Sequence, residues 1–158
     1  HRDRVIGYVE QGKHEGAQLV LGGGKPGGAL ARGLFVEPTI FDRVDPSMRI
    51  AQEEIFGPVV SVIPFEGERQ AIEIANATPF GLAGAVWTRD IFRAFRVVRK
   101  LRAGIVWVNH MQPTYVEAPW GGVKMSGGGR ELGLHGVDNY LEMKQVHVNL
   151  NEDPMGWY

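Results

Sequence analysis

Two short stretches carry side chains that could do chemistry. In 52-QEEIFGPV-59 the carboxylates Glu53 and Glu54 precede a glycine and a proline that fix the chain direction. A carboxylate held in such a bend can accept two hydrogen bonds from a pair of vicinal hydroxyls; a solvated acidic pair is the plainer alternative. In 118-APWGGVKMSGGGREL-132, Trp120, Lys124, Ser126, Arg130 and Glu131 stand among five glycines, a backbone able to fold tightly around something small. Read alone, Trp120 is a half-buried packing side chain and Arg130-Glu131 a salt-bridged surface pair.

Other chemistries find no support. The chain has no cysteine, which removes disulfides, thiolate metal sites and thiol catalysis within it. Ser126 lacks the Gly-x-Ser-x-Gly spacing of a nucleophile elbow, and Gly-Lys-Ser/Thr is absent. The five histidines show no i, i+3 or i, i+4 pairing. One literal Gly-x-Gly-x-x-Gly, at Gly22, Gly24 and Gly27, reads as a turn because no helix follows to face a pyrophosphate.

The elements that must position these stretches follow from periodicity. Residues 2–17 place Val5, Ile6 and Val9 on one side of an expected helix. Strands are expected at 18–21, 34–41, 59–65, 83–88 and 104–109, with a helical turn between Pro46 and Pro58 and helices at 68–78 and 90–101, the latter capped by Asp90. This alternation predicts an α/β fold, a mostly parallel sheet with flanking helices. Ligands on such sheets sit beyond the carboxyl ends of the strands, where the glycine loop follows Asn109. A short helix is expected at 136–143. The alternating 144-KQVHVNL-150 stands outside the βαβ series and is expected to pair with another sheet or another chain.

With 158 residues and 44% hydrophobic content, one core can form. Lys and Arg number 17 against 18 Asp and Glu, so no basic field attracts nucleic acid or anionic lipid. Apolar runs such as 58-PVVSVIPF-65 fall far short of the roughly 18 to 20 residues of a membrane span. A soluble, cytoplasmic protein is expected. The first residue is His1, and we expect a segment of a longer polypeptide.

Taken in order, 52-QEEIFGPVVSVIPF-65, 79-PFGLAGAVWTRD-90, 105-IVWVN-109 and 119-PWGGVKMSGGGRELG-133 closely resemble the carboxy-terminal third of the NAD(P)-dependent aldehyde dehydrogenases. The runs 112-QPTYVEAPWGG-122 and 151-NEDPMGWY-158 resemble the betaine aldehyde and aminoaldehyde branch. The resemblance implies that residues 1–143 are part of the catalytic α/β domain and 144–158 an oligomerisation strand and tail. The cysteine nucleophile, the general base and the dinucleotide-binding domain would lie upstream, so the chain alone is expected to be inactive.

The resemblance also implies individual roles. Glu54 matches the glutamate that holds the nicotinamide ribose hydroxyls of NAD or NADP, and Phe56 the aromatic lining that site. Glu131 matches a proton-relay glutamate, and Arg130 and Glu142 an ion pair. Trp120 matches a wall of an aromatic box around a trimethylammonium or ammonium group, with Ile105 nearby. A potassium ion between subunits would fall on the backbone carbonyls of Lys124 and Gly127. The implied partners are a small aldehyde, the rest of the enzyme and further copies in a dimer or tetramer.

Overall fold

A computed structural model describes residues 1–153 and 156. Helix α1 (Arg2–His14) buries Val5, Val9 and Gly12, a stripe at helical spacing. Gly12 lets the helix press onto its neighbours: a Cβ there would lie 2.9 Å from Ile50 Cδ1. Strands β1 (Gln18–Leu21) and β2 (Thr39–Asp42) pair antiparallel. After the single turn α2 (Arg49–Gln52), β3 (Val59–Ser61) lies parallel to β2. Val5, Val9, Phe41, Val44, Ile50 and Ile55 close the core of this half.

The second half runs α3 (Gly67–Asn76), β4 (Phe80–Gly81), β5 (Ala83–Val86), α4 (Ile91–Val98), β6 (Ile105–Val108), β7 (Val123–Lys124) and α5 (Gly133–Val137). The Asp90 carboxylate accepts the Arg93 amide at 3.0 Å and caps α4. β5 and β6 are parallel, with Ala83 opposite Ile105 and Ala85 opposite Trp107. β4 and β7 are antiparallel. Among the described residues, no hydrogen bond or ion pair joins residues 1–63 to residues 66–153.

The α/β class is as expected; among the described residues the strands form three small sheets of three, two and two strands. Among the described residues, β2 with β3 and β5 with β6 are the parallel pairs, and β1 with β2 and β4 with β7 the antiparallel ones. The expected strand at 34–41 shortens to Thr39–Asp42, because Pro38 has no amide to donate to a ladder. The expected helix at 136–143 shifts to Gly133–Val137, continued by a 3-10 turn at Asp138–Tyr140. Residues 144–150 form no strand; a strand exists only with a partner backbone, and the described residues supply none there. Val146 and Leu150 are 72% and 89% exposed. The expected tail at 151–158 lies partly outside the described residues.

Candidate functional site

The two glutamates of the first stretch have different surroundings. Arg49 grips Glu53 with two parallel hydrogen bonds of 2.8 Å, from Nε and Nη2, and the Tyr8 hydroxyl donates a third, also at 2.8 Å. These donors favour the ionised form and lower the Glu53 carboxyl from 4.5 to about 2, the Arg49 hydrogen bonds first and the Tyr8 hydrogen bond second. Glu53 is therefore a structural anchor. Glu54 is exposed, and among the described residues no donor engages its carboxylate; only its backbone carbonyl is held, by Arg4 Nη2 at 2.8 Å.

Ile55 turns inward to the core and Phe56 outward, 70% exposed, with φ at 57°. Left-handed backbone at an aromatic residue costs on the order of 1–3 kcal/mol and persists only where the surroundings enforce it. Gly57 shows the enforcement: a Cβ there would lie 2.6 Å from Val5 Cγ1, so only glycine lets the bend reach α1. A cleft of ≈ 380 Å³ opens beside it, lined by His1, Leu34, Phe35, Phe56 and Pro58.

The second cluster is built on β6 and the glycine loop. Asn109 closes the strand end through its side chain, accepting from the Thr88 amide at 2.8 Å and donating to the Thr88 carbonyl at 2.9 Å. At the other end of β6, a Cβ on Gly104 would lie 1.8 Å from the Gly121 carbonyl oxygen, so glycine admits the loop onto the strand. That approach brings Trp120 to Trp107, with ring centroids 6.1 Å apart and planes at 51°. Ile105 and Trp107 lie two apart and share one strand face. Trp107 was not among the residues singled out from sequence; its place two residues after Ile105 in the apolar strand 105-IVWV-108 was the available signal.

Trp120 and Glu131 exchange both backbone hydrogen bonds at 2.7 Å, which closes the glycine loop as a bridge. The Glu131 side chain is exposed, and no donor among the described residues engages it. Arg130 pairs with neither Glu131 nor Glu142, contrary to both expectations. Its Nη1 donates to the carbonyls of Gly122, Gly129 and Gly128 at 2.7, 2.8 and 3.2 Å, because glycine backbone carbonyls crowd closer than either carboxylate. Arg130 is the internal staple of the loop.

Lys124 has φ at 55°, and its ammonium donates to the carbonyls of Asn76 and Thr78 at 2.9 and 3.0 Å, at the C-terminal end of α3. Its own carbonyl accepts the Gly127 amide at 3.2 Å in a turn that Gly127 completes at φ 90°. The larger cleft, ≈ 710 Å³ between α3, α4 and β5, contains none of the candidate residues. Glu54 and Phe56 thus form one cluster, and Ile105, Trp120, Glu131, Lys124 and Gly127 belong to the other half of the chain.

The chain is similar to known proteins in sequence and in fold. The pattern of the aldehyde dehydrogenase family matches residues 1–146. A betaine aldehyde dehydrogenase of Atriplex hortensis, described as chloroplastic, is 49% identical over 99% of this chain. A peroxisomal aminoaldehyde dehydrogenase 2 of Pisum sativum is also 49% identical over 99% of it. A solved betaine aldehyde dehydrogenase of Staphylococcus aureus in complex with NAD+ superposes with a TM-score of 0.97 at 47% identity over the whole chain. The chain spans 31% of the length of the two plant relatives and 32% of the solved one. On this evidence of sequence and fold, the chain belongs to the aldehyde dehydrogenase family.

Proposed function

We propose that this chain is the carboxy-terminal part of an NAD(P)-dependent aldehyde dehydrogenase that oxidises betaine aldehyde to glycine betaine. The observation that carries the reading is the division of labour at Glu53-Glu54: one carboxylate is locked by Arg49 and Tyr8, and its neighbour is free beside an enforced Phe56. A free, backbone-anchored carboxylate suits a ribose diol, which offers two donors to one acceptor group. The residues therefore fit a nicotinamide ribose, with Phe56 against the ring. When bound, the nicotinamide accepts the hydride; Glu54 and Phe56 orient it.

The thiolate that attacks the aldehyde comes from the remaining polypeptide, since this chain has no cysteine. Trp120, with Ile105 beside β6, receives the substrate's cationic end, and Glu131 relays a proton during thioester hydrolysis. The edge strands β3, β5 and β6 gain further neighbours from that same polypeptide. The alternating, exposed 144–150 pairs with a second copy in a dimer or tetramer. The carbonyls of Lys124 and Gly127 contribute to a potassium ion between subunits, a hard cation that suits oxygen donors. We assign the protein to the cytoplasm; no helix among the described residues is long and apolar enough to cross a membrane.

An ω-aminoaldehyde substrate is the second reading, favoured by the equal identity to the Pisum enzyme and by the β-branched Ile105 on the same strand face as Trp107. The test is kcat/KM of the full-length enzyme on betaine aldehyde, an ω-aminoaldehyde and a neutral aldehyde of similar shape, with NAD and with NADP. Preference for betaine aldehyde supports the first reading and preference for the aminoaldehyde the second. Equal turnover of the neutral aldehyde contradicts both.

A further inference from the structure

Besides Arg49 of α2, which grips Glu53, one edge of α1 holds the bend that carries Glu54 and Phe56. Residues 1, 4 and 8 follow one another at helical spacing along α1, His1 being its cap. Each bonds a different residue of the bend: Tyr8 the Glu53 carboxylate at 2.8 Å, Arg4 the Glu54 carbonyl at 2.8 Å, and His1 Nε2 the Phe56 carbonyl at 2.7 Å. The His1 ring also meets the Phe56 ring edge-on, with centroids 5.9 Å apart. Between them Val5 packs on Gly57, and the Arg4 guanidinium lies 5.4 Å from the centre of the Tyr8 ring. Chain order is reversed between the two partners, so the bend runs antiparallel to α1 with one tie per residue for three of its members.

We propose that His1, Arg4 and Tyr8 are positioning residues that set the pose of Glu54 and Phe56 toward the cofactor. The inference rests on the ribose-binding reading of Glu54 given above. The two ties to carbonyls fix the backbone from which Glu54 and Phe56 project and leave the Glu54 carboxylate without a donor among the described residues. Without those ties the left-handed Phe56 would relax toward ordinary backbone, and the carboxylate of Glu54 would turn with it.

The test uses the full-length enzyme. Arg4→Met and His1→Phe, which remove donors while keeping bulk, should raise the KM for NAD about 3- to 10-fold, the reach of one hydrogen bond of ordinary net strength, with kcat at saturating NAD little changed. His1→Gln, which keeps a donor, should recover part of the loss. Val9→Ala, on the core side of the same helix, should lower Tm and leave the NAD KM unchanged. Amide hydrogen exchange at 53–57 without cofactor should quicken in Arg4→Met and His1→Phe. Unchanged exchange alongside a raised KM would make these side chains direct ligand contacts and overturn the proposal, as would an unchanged KM in both variants while Glu54→Gln raises it. An unchanged NAD KM and hydride rate in Glu54→Gln would instead defeat the ribose reading, and the proposal would fall with it.

Discussion

Trp107 and Trp120 face each other across the start of the glycine loop, 6.1 Å between ring centroids and tilted by 51°. The Trp107 indole N–H is already engaged, donating to the Pro113 carbonyl at 3.3 Å, so that indole is fixed and its face is what it offers. Two such faces near an aldehyde carrying a trimethylammonium or ammonium group predict a selective effect. Each cation–π contact is worth about 0.5 to 2 kcal/mol, or roughly 2- to 30-fold in affinity. Trp120→Leu should therefore lower kcat/KM by that factor for betaine aldehyde and an ω-aminoaldehyde and leave a neutral aldehyde of similar shape nearly unchanged. An equal fall for all three would make Trp120 a packing residue.

Glu53 should give stability a defined pH dependence. Its folded-state carboxyl is lowered from 4.5 to about 2 by Arg49 and Tyr8, so its contribution is fully present above the unfolded value and is lost as pH falls through about 2. Both side chains are partly exposed, which makes the contribution sensitive to salt. The Tm difference between wild type and Glu53→Gln should be constant near neutrality, shrink between pH 4.5 and 2, and narrow in added salt. A difference independent of pH would contradict the ionic anchor.

For Glu131, the backbone bridge to Trp120 survives substitution by glutamine, because both hydrogen bonds are made by the main chain. Glu131→Gln should keep its Tm and its NADH burst, while the steady-state rate falls as thioester hydrolysis slows. A normal steady-state rate would reject the relay; equal loss in both phases with a lower Tm would make the residue structural.

Arg130 should behave oppositely. Removing a guanidinium that serves three carbonyls leaves the glycine loop unstapled, and hydrogen bonds to charged groups contribute about 1.5–3 kcal/mol. Arg130→Met should lower Tm measurably and weaken every aldehyde alike, since it loosens the loop that carries Trp120. Unchanged stability would show that the loop closes without it.

Much of this arrangement was legible in the sequence wherever local chemistry decides it. Val5 and Val9 marked the buried stripe of α1, Asp90 marked the start of α4, and the β-branched run at 105–108 marked β6. The sheet was not legible, because strand pairing is a property of neighbours: 83–86 and 105–108 found each other, while 144–150 found no partner among the described residues. The acidic pair showed the same limit. Composition gave Glu53 and Glu54 one character, and it takes Arg49, one helical turn before Glu53, together with the distant Tyr8 of α1 to separate the anchored carboxylate from its neighbour. Arg130 beside Glu131 suggested an ion pair for the same reason, since the Gly122 carbonyl that it binds becomes adjacent only after the loop has closed.

The central claim is that Glu54, and not Glu53, serves the cofactor. Single-turnover NADH formation by the full-length wild type, Glu54→Gln and Glu53→Gln, measured across NAD concentrations, tests it most directly. Loss of a charge-assisted pair of hydrogen bonds is worth on the order of 1.5 to 3 kcal/mol, so Glu54→Gln should lose roughly 10- to 150-fold in the hydride step or in NAD affinity. Glu53→Gln should lose stability first and rate little. Unchanged hydride transfer and NAD affinity in Glu54→Gln would contradict the account and leave Glu54 a solvated carboxylate beside the anchored Glu53.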